Sequence, residues 1–269
     1  MAERVDSDQS SIRLQMQGVC KRFGATVALE DVSIRVAAGQ VLAMVGENGA
    51  GKSTLMKVCS GAVKADAGQM WLDGKPYRPS NPLEARRAGV AMIYQELSLT
   101  PHLSVQENIM LGMEPATLGV VRAKQVRQRT IEAIKEFDNP ELTPDARVSN
   151  LSVGSQQLVE IARALAIGCR VLVLDEPTSS LTQQDVKRLF EIIGRLKRKG
   201  KAIVYISHFI EEVKRVADRV MVLRDGRVVG SSDVTAITTD EIIALMVGRQ
   251  VEELYPRSAR QAGEVILEI

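Results

Sequence analysis

No stretch of this sequence approaches the run of about 20 apolar residues that a membrane-spanning helix requires. Cysteine is scarce as well: Cys20, Cys59 and Cys169 are far apart, odd in number and without a CxxC pair. That argues against a disulfide framework or a zinc site and leaves buried free thiols in a reducing compartment as the expectation. An excess of one charge is also missing. Lysine plus arginine number 35 against 33 aspartates plus glutamates, which gives no bulk attraction to nucleic acid or anionic lipid. The basic clusters Arg86-Arg87 and Lys197-Arg198-Lys199 read as solvated helix ends. Residues 1–11 are polar and acidic, lack the apolar core of a signal peptide and read as a disordered start. The polypeptide is therefore expected to be soluble and cytoplasmic, and its 269 residues suffice for one large domain or a core with a subdomain.

What is present has a clear order. Residues 12–16 alternate apolar and polar as a strand does, and residues 32–36 are a second candidate. Val41-Leu42-Ala43-Met44-Val45 is a continuous apolar run, as expected of a strand buried on both faces. Residues 52–60 read as a helix that Gly61 ends, and residues 68–77, with Asp73-Gly74 inside, have hairpin chemistry. From 83 to 166 the periodicity becomes helical, as in 123–137, which suggests a helical insertion. Buried-strand runs return at 171–174 and 202–206 on either side of an amphipathic helix over 184–199, a βαβ crossover that implies a parallel sheet. A hairpin turning at Asp225-Gly226 and a short helix over 238–247 follow. Residues 249–263 resemble a linker. Residues 264–269 have a strand pattern that echoes 12–16, and they fit either a C-terminal edge strand or the start of a second, similar domain.

Three segments carry chemistry. Gly46-Glu47-Asn48-Gly49-Ala50-Gly51-Lys52-Ser53 follows a buried strand and opens a helix, the context a P-loop requires. Its glycines let successive N–H groups approach phosphate oxygens, and the helix N-terminus adds partial positive charge. Lys52 is expected to reach the β- and γ-phosphates and the Ser53 hydroxyl to ligate Mg²⁺. Asp175-Glu176 ends the apolar strand, where carboxylates face the ligand crevice of a parallel sheet. Asp175 suits a Mg²⁺ ligand, through water, and Glu176 a general base. Leu151-Ser152-Val153-Gly154-Ser155-Gln156-Gln157 precedes an apolar helix, with Ser152 as its N-cap and small residues that leave its start open to an anion.

In their chain order, with residues 151–157 between the P-loop and Asp175-Glu176, the three segments resemble the ATP-binding cassette (ABC) ATPases, residues 151–157 being similar to the ABC signature, and the resemblance spans nearly the whole chain. It implies an α/β fold: a P-loop core with a mainly parallel sheet, an N-terminal antiparallel β subdomain and a helical subdomain at about 97–167 after the Q-loop. The ATPase domain would occupy 12–248. The resemblance also implies that Phe23 stacks on adenine, that Gln95 senses Mg²⁺ and the attacking water, and that His208 contacts the γ-phosphate. Thr54 would join the phosphate-binding group; Ser152, Gly154 and Gln156 would cover ATP held by an opposite domain. ATP and Mg²⁺ are the implied cofactors.

The phrases Thr54-Leu55-Met56-Lys57, Tyr94-Gln95-Glu96-Leu97, Val204-Tyr205-Ile206-Ser207-His208 and Tyr255-Pro256-Arg257 are similar to the ribose/galactose/xylose importer branch. Members of that branch carry two ATPase domains in one polypeptide. The implied partners are transmembrane permease subunits, a second ATPase domain and, indirectly, a solute-binding protein, at the cytoplasmic face of the cell membrane. Val153 and Ser155 depart from the usual Gly and Gln of the signature, and Thr182 stands in place of the D-loop Asp. A ribosome-acting or DNA-repair ABC ATPase is the main rival. Against it stand the absence of coiled-coil or zinc insertions and the short linker.

Overall fold

The computed structural model describes residues 12–248. The expected disordered start, the linker and the strand at 264–269 lie outside the described residues. Two long strands come first, β1 (Ile12–Phe23) and β2 (Thr26–Ala37), paired antiparallel with Phe23 opposite Thr26. Both run beyond the expected 12–16 and 32–36. The pairing shifts register several times between Ile12 and Arg22, and such bulges erase the alternation by which a strand is read from sequence.

The buried strand β3 (Val41–Val45) leads through the glycine loop into α1 (Lys52–Cys59). The hairpin β4 (Ala67–Leu72) and β5 (Lys75–Pro76) follows, turning on Asp73 and Gly74, both left-handed. β4 pairs with β1, so an antiparallel sheet forms in the order β2-β1-β4-β5. Next come α2 (Pro82–Ala88), β6 (Val90–Ile93) and α3 (Val105–Met110). A small hairpin joins β7 (Ala116–Thr117) and β8 (Val120–Val121), before α4 (Ala123–Ile134) and α5 (Val153–Ala166).

The helical reading of 83–166 is thus corrected at two places, β6 and the β7–β8 hairpin. Val90–Ile93 is a buried run of four residues, too short for periodicity to separate a strand from a helix turn. The rest of the chain builds the main sheet: β9 (Val171–Asp175), α6 (Gln183–Arg198), β10 (Ala202–Ile206), α7 (Ile210–Val216), β11 (Arg219–Arg224), β12 (Arg227–Asp233) and α8 (Thr239–Val247).

The six strands run in the order β12-β11-β3-β10-β9-β6, and every neighbouring pair except β11–β12 is parallel. The carboxyl ends of β3, β10, β9 and β6 therefore lie along one edge, where an open α/β sheet offers its ligand crevice. Both faces are covered. β9 sends Leu172 and Leu174 into the core shared with α3–α6, and Val171 and Val173 into the core shared with α1 and the antiparallel sheet. No described helix is long and apolar enough to cross a membrane.

Two of the three cysteines meet the expectation of burial. Removal from water pushes the Cys59 thiol up to about 12 and the Cys169 thiol up to about 11. Cys20 corrects it: it lies half-buried in β1, its Sγ accepting the Asp31 N–H at 3.3 Å. Titration of the native protein with an aromatic disulfide is expected to modify Cys20 alone, with the other two reacting only in denaturant. Fast reaction of all three would contradict the packing.

Candidate functional site

The loop between β3 and α1 is built to leave N–H groups free. Gly51, the N-cap of α1, has φ 104° and offers no side-chain cap, and the first turn holds no acidic residue. A glycine is required there twice over. The conformation is left-handed, and a Cβ would lie 2.6 Å from the Ala28 carbonyl oxygen on β2. Glu47, Asn48 and Gly49 are exposed at the crest of the loop, whereas Gly46 and Ala50 are buried beneath it. Ser53 is exposed and Thr54 half-buried on the first turn of α1.

Lys52 turns inward and is 6% exposed. Its Nζ donates to the carbonyls of Gly46 at 2.8 Å and Glu47 at 3.0 Å. Burial pushes its ammonium below the ordinary lysine value, and the nearby Glu176 and Asp175 carboxylates oppose that shift. Asp175, the buried last residue of β9, shows the reverse. Burial and the neighbouring Glu176 raise its carboxyl above the usual range, against a hydrogen bond from Ser53 and the Lys52 and Lys57 charges. Ser53 and Asp175 thus form an oxygen donor pair suited to a hard cation.

Glu176 adopts φ 46°, a left-handed conformation that costs a non-glycine residue about 1 kcal/mol or more and recurs at functional sites. Its N–H donates to the Ile206 carbonyl at 3.0 Å, which straps the end of β9 to the end of β10. His208 follows β10, and its Nδ1 lies 3.2 Å from Glu176 Oε1. The turn that carries His208 is held from below: Glu212 on α7 accepts the Tyr205 hydroxyl at 2.7 Å and the Ser207 hydroxyl at 3.0 Å. Sequence reading passed over Glu212. Its only signal was an acidic residue in the first turn of a helix.

The structure thus gathers Lys52, Ser53, Asp175, Glu176 and His208 at one edge of the sheet. Gln95 lies exposed two residues past β6 at the same edge. Phe23 sits at the tip of the β1–β2 hairpin, 50% exposed, with the Lys21 ammonium 5.4 Å from its ring centroid.

Ser152, Gly154 and Gln156 stand elsewhere, at the start of α5, and among the described residues no hydrogen bond joins them to the glycine loop. Ser152 caps α5 by accepting the Ser155 N–H, and Gln156 Nε2 donates back to the Leu151 carbonyl at 3.0 Å. Gly154 packs where a Cβ would meet the Asp185 carboxyl at 2.5 Å. Thr182 and Val153 lie nearby in role: Thr182 caps α6, and Val153 is 47% exposed.

A glycine loop ahead of an uncapped helix N-terminus, a buried lysine, and carboxylates closing the next strand but one of the same sheet define a P-loop nucleotide-binding fold. Within that class, the description "ABC transporter" matches residues 29–179, and the chain belongs to that family. It is 44% identical over 258 residues to the ribose import ATP-binding protein RbsA of Chromobacterium violaceum, covering 96% of this chain and 51% of that protein. It is 46% identical over 256 residues to ribose import ATP-binding protein RbsA 1 of Rubrobacter xylanophilus, covering 95% and 51% respectively. The chain thus spans about half the length of these curated relatives. Among solved structures, the ADP conformation of MJ1267, an ATP-binding cassette of an ABC transporter, superposes with a TM-score of 0.76 at 27% identity over 91% of this chain and 98% of that one. The dimeric post-hydrolysis state of the cassette MJ0796, bound to ADP and Pi, gives 0.69 at 25% identity over 82% and 98%.

The close approach at Gly51 has a measurable consequence. Gly49 is also left-handed, with φ 86°, but nothing lies within 4 Å of the Cβ it would gain. Gly51→Ala is therefore expected to lower unfolding free energy by about 2–3 kcal/mol and Gly49→Ala by about 1 kcal/mol. Equal losses in urea titration would mean that the Ala28 contact relaxes at no cost.

Proposed function

We propose that this chain binds Mg²⁺-ATP across the carboxyl ends of β3, β10 and β9 and hydrolyses it, as one ATPase domain of a sugar importer. The observation that carries this reading is the meeting of Lys52, Asp175, Glu176 and His208 at one crevice beside uncapped N–H groups. The phosphates sit on the N–H groups of the loop from Gly46 to Thr54, where the Ala50 N–H must first leave the Glu47 carbonyl it meets at 3.1 Å, and Lys52 exchanges its carbonyl partners for phosphate oxygens. Phe23 offers its exposed ring to adenine. Ser53, Asp175 and Gln95 would hold Mg²⁺, which would neutralise charge on the phosphates.

Glu176 takes a proton from water as the water oxygen attacks the γ-phosphorus. The bond from that phosphorus to the bridging oxygen then breaks, leaving ADP and inorganic phosphate. His208, tied to Glu176, orients this carboxylate and faces the γ-phosphate. Ser152, Gly154 and Gln156 form the second wall, presented to ATP held by an opposing cassette.

The sugar assignment draws on the names of the relatives, both ribose import ATP-binding proteins. The half-length match supports a second cassette as partner, in the same chain or as a dimer mate, and the family supports permease subunits fed by a solute-binding protein. Such a domain works peripherally, on the cytoplasmic face of the membrane. Co-purification of the full-length protein with a permease would support import, and co-purification with ribosomes the ribosome-acting alternative.

Glu176→Gln separates binding from chemistry. The variant is expected to bind ATP within about twofold of the wild type while turnover falls at least 100-fold. Wild-type turnover would remove Glu176 from the role of general base.

A further inference from the structure

The start of α5 is wired to a segment that no motif covers. Ser152 Oγ accepts the Ser155 N–H at 3.2 Å, which leaves its single proton to be directed. Its available acceptors are Ser155 Oγ at 3.0 Å and Glu141 Oε2 at 3.3 Å. Ser155 Oγ itself donates to Glu141 Oε2 at 2.5 Å and receives Asn139 Nδ2 at 2.9 Å. The Asn139 amide is fixed in that sense because its Oδ1 accepts the Glu141 N–H at 3.0 Å.

A hydroxyl has one proton and two lone pairs. At Ser155 the proton goes to the carboxylate, and the lone pairs serve Asn139 and Ser152. The Ser152 proton therefore points toward buried Ser155 and the exposed Glu141 carboxylate, and the opposite side of Ser152 Oγ presents lone pairs. Phosphate oxygens only accept, so an anion arriving at α5 meets a hydroxyl turned the wrong way. To donate to it, Ser152 must leave a chain that ends on a carboxylate, and such charge-assisted chains are the stronger kind. The wider family's signature places glutamine where this chain has Ser155, so the chain of hydroxyls accompanies that departure from the usual signature.

We propose that Glu141 is a positioning residue. Through Ser155 it holds the Ser152 hydroxyl proton inward and so raises the ATP concentration at which α5 accepts the γ-phosphate held by an opposing cassette. This rests on the reading that α5 meets ATP. Glu141 touches no nucleotide in this account and acts only through the two serines.

The test is the ATP dependence of hydrolysis by the full-length transporter assembled with its permease. Glu141→Ala is expected to lower the KM for ATP about threefold or more, with kcat within about twofold. Glu141→Gln, which keeps an acceptor oxygen without the charge, is expected to fall between the two. In a Ser152→Ala background, Glu141→Ala is expected to change nothing further, because the proton it controls is gone. An unchanged or raised KM overturns the proposal. So does an equal fall in the Ser152→Ala background, which would mark a general loss of negative charge near the phosphate. If Ser152→Ala alone leaves both KM and kcat at wild-type values, α5 does not meet ATP, and the underlying reading falls together with the proposal. If Ser152→Ala impairs hydrolysis while Glu141→Ala does nothing, only the proposal falls.

Discussion

The structure depends on keeping one ammonium group out of water without a carboxylate in contact. Lys52 is almost wholly buried, its direct partners are two backbone carbonyls, and among the described residues no ion pair includes it. A buried charge costs several kcal/mol unless fixed dipoles or opposite charges offset it. Here the offset comes from Gly46 and Glu47 carbonyls turned inward and from the Asp175 and Glu176 carboxylates. Each element of that arrangement constrains another. The loop can fold over the lysine only if Gly51 is left-handed beside Ala28, and the carboxylates arrive only if β9 ends level with β10.

The parallel register does the rest. Ile206 pairs with Asp175, so the next residues of both strands, Ser207 and Glu176, emerge side by side. One residue further, His208 reaches Glu176, and Glu212 braces the turn from α7. The start of α5 is built by different means. It hangs from the helical part of the chain, and its polar groups look to Glu141 and Asn139 rather than to the glycine loop. That separation from the loop of its own domain suits the site proposed to be shared between two cassettes.

Much of this was legible in the sequence, for physical reasons that differ by residue. Val41–Val45 and Val171–Asp175 announced themselves because strands buried on both faces are apolar throughout. The turns at Asp73-Gly74 and Asp225-Gly226 were readable because left-handed pairs favour those residues. The glycine loop and Asp175-Glu176 stand out by position after such strands, whereas His208 was legible only through the family resemblance. β6 and the β7–β8 hairpin were not legible, being too short to show a period, and the bulges of β1 hid its second half. Glu141 and Asn139 carried no signal at all. They matter only because residues 139–141 fold back on the cap of α5, a tertiary fact with no sequence periodicity behind it.

If the buried ammonium is the seat of the phosphates, removing it must cost nucleotide affinity before it costs anything else. Calorimetric titration of Mg²⁺-ATP into full-length protein carrying Lys52→Ala tests this most directly, alongside a thermal melt to verify folding. The account predicts an intact fold and affinity weakened at least about tenfold, the scale of one lost charge-assisted contact. Wild-type affinity in the folded variant would contradict it.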